Sequence, residues 1–256
     1  GEMQNKRTPN TKTWMLFDGS YKTEIYQGPI HFDDGLNNLH NINTSLFDEA
    51  DADTYEGPTS RHGKNLLKHE KEKVKDKKKQ GKMNRDDFDY QVPTLPFSVQ
   101  IPKNIKKGYS IGQNDEFVRF IPQNVSPSRG YVNKSKTNEI QYQDAWNDTD
   151  IVLEVTDRGI KETMILKTDR APFKFSFEID GGIEDDLTTG NMKLEPAWLI
   201  DAVGEKRDVS QTIRREGEQT FIDLVADVAG LVYPIEIDPT VTIQHDGTAG
   251  KDAKLF

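Results

Sequence analysis

The 256-residue chain reads as mainly all-β, an assembly of antiparallel β-sandwich modules with one Lys-rich helix or linker. Three observations predict this. Short runs in which apolar side chains recur at every second position follow one another at about ten-residue spacing. Turn-forming Asp, Asn, Gly and Pro residues separate the runs. The βαβ alternation of nucleotide-binding folds is missing.

Residues 1–50 read as a small N-terminal β-hairpin region. Thr13-Trp14-Met15-Leu16-Phe17 and Tyr21-Lys22-Thr23-Glu24-Ile25-Tyr26 flank Asp18-Gly19-Ser20, and an Asp-Gly pair supplies the positive φ angles of a tight hairpin. Tyr21, Thr23 and Ile25 would share one face. Gly28-Pro29 breaks the run, and Ile30-His31-Phe32 and His40-Asn41-Ile42 read as further short extended pieces.

Residues 51–91 change character. Lys64 to Lys82 holds nine lysines, with only Leu66, Leu67 and Val74 as buried-type residues. Helix propensity is good and Thr59 or Ser60 can cap it. The apolar positions look too few for a core-facing stripe, which predicts an exposed helix or a flexible linker.

Residues 92–243 carry the main sandwich. Phe97-Ser98-Val99-Gln100-Ile101 alternates, as does Phe117-Val118-Arg119-Phe120-Ile121. Ile140-Gln141-Tyr142, Ile151 to Val155, Gly159 to Leu166 and Phe173 to Ile179 follow, the last with Phe173, Phe175, Phe177 and Ile179 on one face. Asp148-Thr149-Asp150, Asp157-Arg158-Gly159 and Asp180-Gly181-Gly182 separate them. Met192 to Leu194, Ala197 to Ala202, Thr220 to Val225 and Tyr233 to Pro239 continue the pattern around a polar stretch from Gly204 to Glu218. Residues 244–256 read as the start of a following repeat or a C-terminal tail.

Composition sets limits. With 34% hydrophobic and 30% charged residues the chain is lean for one compact globule, which suggests an elongated shape. The absence of cysteine removes disulfides, thiolate nucleophiles and Cys-based zinc sites. Net charge is −9, but Arg61 to Asp89 holds eleven Lys/Arg against six Asp/Glu, so the remainder carries a surplus of 14 acids. Such a body repels nucleic acid and anionic membranes. No apolar run approaches the roughly 20 residues of a membrane span, and no signal peptide is read in the sequence.

Three stretches together resemble a known arrangement. Lys6-Arg7-Thr8-Pro9-Asn10-Thr11-Lys12-Thr13 with Gly28-Pro29-Ile30-His31-Phe32 is similar to the N-terminal part of bacterial proteins carrying DNRLRE domains. Tyr142-Gln143-Asp144-Ala145-Trp146, Asp150 to Val155 and Gly159-Ile160-Lys161-Glu162 resemble their β module, which also occurs in wall-associated proteins with Rhs/YD repeats and in phage tail-associated proteins. Tyr233-Pro234-Ile235-Glu236-Ile237-Asp238-Pro239-Thr240-Val241 resembles the exit from that module into a DNRLRE repeat, with Gly250-Lys251-Asp252 in that repeat's first strand. The resemblance implies an architecture and brings no catalytic residues.

Catalytic signals are sparse. No serine lies in a G-x-S-x-G elbow, the five histidines are scattered, and there is no P-loop or G-x-G-x-x-G. Glu184-Asp185-Asp186 reads as a solvated hairpin turn before it reads as a carboxylate pair. Asp48, Glu49, Asp51 and Asp53, or Asp144, Asp148 and Asp150, supply hard oxygens for a structural calcium, but neither set matches an EF-hand and solvated turns are the favoured reading. No metal or cofactor site is assigned. His31 and His40 read as packed or exposed side chains and Trp14, Trp146 and Trp198 as core aromatics, with sugar stacking by one tryptophan as the sharper alternative.

These features predict a non-catalytic structural or assembly protein of a bacteriophage particle, a tail or capsid-surface component located in the virion. The alternatives are a secreted, cell-wall-associated or adhesive bacterial surface protein and a polysaccharide-acting enzyme. Expected partners are other copies of the chain or other particle or surface proteins, with cell-surface glycan as an option and nucleic acid excluded. Lys71, Lys73, Lys75, Lys77, Lys78 and Lys79 are the predicted partner-binding set, a docking arm for an acidic neighbour.

Overall fold

A computed structural model describes residues 1–113 and 116–244. The fold is mainly antiparallel β, as the periodicity predicts. Residues 245–256, most of the stretch read as a following repeat, lie outside the described residues.

The N-terminal region forms two separate hairpins, β1 (Thr11–Met15) with β2 (Tyr21–Ile25) and β3 (His31–Asp33) with β4 (Leu39–Asn41). Gly19 takes φ +82° at the first turn, where Asp18 Oδ1 accepts from the Ser20 amide. The first hairpin buries little: Thr13 is enclosed, but Tyr21 and Ile25 stay exposed.

Next, β5 (Phe47–Asp48) pairs with β6 (Tyr90–Gln91), and the segment between them folds back as a 3-10 turn (Glu49–Thr54) and α1 (Arg61–Lys79). Of the two expectations, helix or linker, the helix is present. The expected lack of an apolar stripe is corrected. Gly63, Leu67, Glu70 and Val74 recur at helical spacing and are buried, and Leu67 and Val74 join Ala50, Ala52 and Phe88 in a small second core. Small alanines on the opposing turn let two large side chains fill the gap. Ser60 caps α1 by accepting from the Gly63 amide at 3.0 Å, and Lys77, Lys78 and Lys79 lie at its negative dipole end. A Cβ at Gly63 would overlap the Pro93 carbonyl, so this turn tolerates only glycine. Within this core Glu49 is 3% exposed, and burial together with the nearby Glu70 carboxylate pushes its pKa up to about 7.

Among the described residues the main body holds sixteen strands. The first eight are β7 (Ser98–Gln100), β8 (Tyr109–Gln113), β9 (Glu116–Pro122), β10 (Gly130–Val132), β11 (Glu139–Trp146), β12 (Thr149–Val155), β13 (Gly159–Leu166) and β14 (Lys174–Asp180). The others are β15 (Thr188–Thr189), β16 (Met192–Leu194), β17 (Trp198–Ile200), β18 (Lys206–Asp208), β19 (Ser210–Glu216), β20 (Gln219–Val225), β21 (Ile235–Asp238) and β22 (Thr240–Ile243). One sheet runs β19-β20-β14-β9-β8-β7. The other runs β10-β11-β12-β13-β21-β17-β18, with β22 pairing to β13 and β16, and β15 to β16. The polar stretch from Gly204 to Glu218 contains β18 and β19. It reads as polar because β19 is a sheet edge whose one large apolar residue is Ile213.

The inward faces meet in one core that includes Val118, Phe120, Phe175 and Phe177 from one sheet and Tyr142, Ile151, Leu153 and Met164 from the other. Phe173, expected on that face, precedes β14 and is exposed. Trp146 crosses between the layers, edge-on to Phe175 at 4.9 Å, with its indole N–H donating to the Gln123 carbonyl.

A side-chain pair also ties the two layers together inside this core. The Tyr109 hydroxyl of β8 donates to Glu162 Oε2 of β13 at 2.5 Å. Glu162 is 2% exposed, and burial pushes its pKa up to about 8.

Leu153→Ala leaves a cavity in the enclosed core and is expected to cost about 2–5 kcal/mol in denaturant unfolding. Glu49 and Glu162 hold protons in the folded chain that the unfolded chain has released. Their contribution is complete below the unfolded value of 4.5 and is lost as pH rises towards about 7 and about 8. The thermal midpoint should therefore fall between pH 5 and pH 8, and Glu162→Gln should flatten that fall; a steeper fall in the variant would contradict the assignment.

Candidate functional site

The charged arm was the predicted binding element, and the fold divides its six lysines. Lys71 Nζ donates to the Tyr55 carbonyl at 3.2 Å. Lys73 pairs with Glu70 at 3.1 Å and lies over the Phe88 ring. Lys77 pairs with Asp87, and Lys78 with Asp53 at 2.7 Å. These four pin α1 to its own surroundings. Lys75 and Lys79 remain exposed with no ion pair among the described residues.

A different set shares one face. Arg61, Lys64, Lys68, Lys71, Lys75 and Lys79 are spaced by three or four residues and run the length of α1 beside its buried stripe. At 1.5 Å per residue the row is about 27 Å long. Between it and the Tyr55–Thr59 segment lies a groove of about 490 Å³, with Tyr55, Lys64, Lys68, Lys71 and Lys75 on its walls. Glu56 and Glu72 also line it, so cations outnumber acids there. Arg61, Lys64 and Lys68 fall outside the predicted set, which follows lysine density, and helical spacing adds them to this face.

The arm is joined to the sandwich by buried charge. Lys103, 3% exposed, donates to both Asp48 oxygens at 2.8 and 2.9 Å and to the Arg85 carbonyl at 2.6 Å. Arg85 in turn pairs with Asp48 and Asp51, each at 2.7 Å. Asp51 is held below the usual carboxylate range by that guanidinium.

Of the first set considered for calcium, Asp48, Asp51 and Asp53 are thus committed to cations, while Glu49 is buried and accepts from the Asp89 amide at 3.2 Å. In the second set, Asp144 and Asp150 both bind Lys167, and Asp148 pairs with Arg170 at 2.8 Å. Asp185 pairs with Arg215, while Asp186 accepts from Thr188 as a turn residue does. Among the described residues no group of three or more His, Asp or Glu side chains is arranged to hold a metal ion. His31 is buried with Nδ1 2.8 Å from the Thr8 carbonyl, and His40 lies 3.0 Å from Asp34. Trp14 and Trp198 are half-buried. Among the described residues no helix is long and apolar enough to cross a membrane.

A second concavity was not foreseen. It lies on the outer face of the six-stranded sheet, has a volume of about 280 Å³, and is lined by Asp89, Gln100, Lys107, Gly108, Ser110 and Arg119. Three of these sit side by side on adjacent strands, since Gln100 is opposite Ser110 and Ser110 opposite Arg119. Only cross-strand register brings them together, and a single sequence does not print it.

No family model and no solved structure matches the chain. Curated relatives do. The tRNA nuclease WapA of Bacillus subtilis (strain 168) is 23% identical over 270 residues, covering 95% of this chain and 10% of that protein. The tRNA3(Ser)-specific nuclease WapA of Bacillus spizizenii is 22% identical over 271 residues, with the same coverage. The tRNA(Glu)-specific nuclease WapA of Bacillus subtilis subsp. natto is 23% identical over 270 residues, again across 95% of this chain. The chain spans about a tenth of the length of these relatives. The findings correct the expectation of a non-catalytic phage structural protein, with its virion, tail and capsid associations, and the expected exclusion of nucleic acid, because the proteins that match almost all of this chain bear the names of tRNA nucleases.

Proposed function

We propose that this chain is one module of a long tRNA-nuclease protein, and that the cation row of α1 is the surface that meets the tRNA backbone. The observation that carries the reading is the match of 95% of the chain to proteins named as tRNA nucleases. Because those proteins are about ten times longer, cleavage is assigned here to the complete protein. The resemblance to β modules upstream of DNRLRE repeats supports the same placement, a sheet segment inside a many-module chain.

The row fits the part by its physics. Arg61, Lys64, Lys68, Lys75 and Lys79 have no ion pair among the described residues, so a polyanion that reaches them displaces solvent and counterions and breaks no internal bond. The net acidic remainder of the chain disfavours a polyanion elsewhere, and a field of mixed sign orients its approach onto the helix. Contact through lysines alone reads charge and not base sequence.

Two measurements test the proposal. The complete protein that contains this chain should cleave tRNA in a total-tRNA digest, and intact tRNA would sink the nuclease reading. The purified chain should retain tRNA in filter binding at low salt, weakening steeply as salt rises. Replacing Lys64, Lys68, Lys75 and Lys79 by Gln should weaken retention at least tenfold and flatten the salt dependence. Unchanged retention would remove the row from the account.

A further inference from the structure

We propose that the concavity on the outer face of the six-stranded sheet is a binding pocket for one protonated phosphate group, either inorganic phosphate or a phosphate monoester. It shares no lining residue with the α1 groove, so it stands or falls independently of the reading above.

The floor is the cross-strand ladder Gln100–Ser110–Arg119. Neighbouring strands lie about 4.8 Å apart, so the three side chains span roughly 10 Å, enough for donors to flank a single tetrahedral oxyanion. Arg119 is half-buried and has no carboxylate partner among the described residues. Arg85, Arg129, Arg170, Arg207, Arg214 and Arg215 each have one. Asp180 lies opposite Arg119 in the β9–β14 register but does not pair with it. A guanidinium with its fork unoccupied is suited to bidentate contact with a phosphate. The Ser110 hydroxyl, on a residue 7% exposed, also makes no hydrogen bond among the described residues.

The walls decide which anion fits. Lys107 comes from the 3-10 turn Ile105–Lys107, which Gly108 ends at φ +75°, and its Nζ donates to the Asp86 carbonyl at 3.2 Å. Asp89 faces it, with Oδ1 3.9 Å from Lys107 Nζ and without a hydrogen-bond partner. Burial holds the Asp89 carboxyl above its ordinary value. A carboxylate in an anion pocket repels sulfate and phosphodiesters, which carry no proton. It accepts a hydrogen bond from the P–OH of phosphate or a monoester. Two cations, two neutral polar groups and one acceptor together select for an oxyanion that still bears a hydrogen.

Titration calorimetry on the purified chain near pH 6, at matched ionic strength, tests this. Inorganic phosphate should bind at least tenfold more tightly than sulfate or dimethyl phosphate. Phosphate binding should be lost in Arg119→Gln and weakened in Lys107→Gln, with circular dichroism unchanged; should the first variant fail to fold, Lys107→Gln and Ser110→Ala carry the test. Asp89→Asn should narrow the gap between phosphate and sulfate. Methyl phosphate binding as well as inorganic phosphate would identify the terminal group of a larger molecule as the natural source, and binding of inorganic phosphate alone would identify the free ion. Equal binding of sulfate and phosphate to the unaltered chain, or full binding by a folded Arg119→Gln, would overturn the proposal.

Discussion

The ammonium of Lys103 has left water, and much of the molecule is arranged around that fact. An unpaired buried cation is costly, so Asp48 and the Arg85 carbonyl must stay in place. Asp48 opens the turn that supports α1, and Arg85 follows the helix. A single buried charge in the sandwich thereby fastens both ends of a segment that would otherwise be a loose, highly charged excursion. The small core of Leu67, Val74 and Phe88 can then form against the alanines of the turn. The cation row faces outward because the buried stripe faces in.

The sandwich follows a different logic. Its interior is mostly apolar, and among its few polar contacts Tyr109 to Glu162 joins the two sheets with a neutral hydrogen bond at ordinary pH. A carboxylic acid kept protonated costs less in such surroundings than a carboxylate. Charge is kept largely to the outer faces, one of which carries the Gln100–Ser110–Arg119 concavity, and to the inserted arm, which carries the groove along α1.

The alternation of Phe175, Phe177 and Ile179, or of Val118 and Phe120, made the strands legible because a half-buried strand must show its period. Edge strand β19 was illegible because it has almost nothing to bury. In α1 the period was present, but three apolar residues among nine lysines hid it, and the missing apolar mass is supplied by Ala50, Ala52 and Phe88 from outside the helix. Pockets were beyond reach for a related reason. Gln100, Ser110 and Arg119 are ordinary outward residues until register sets them side by side. The likeness to nuclease proteins could not be inferred from local chemistry, since acids that looked available, such as Asp51 and Asp150, are bound to Arg85 and Lys167.

The polar character of β19 has a further effect on any polypeptide that strings many sheets together. Its free margin presents Arg214, Arg215 and Glu216, and Arg214 is clasped by Asp223 of the neighbouring strand at 2.6 Å. Approach of a second open margin would have to strip water from those ions and disturb that clasp. This margin is therefore poorly suited to pairing edge to edge with another sheet.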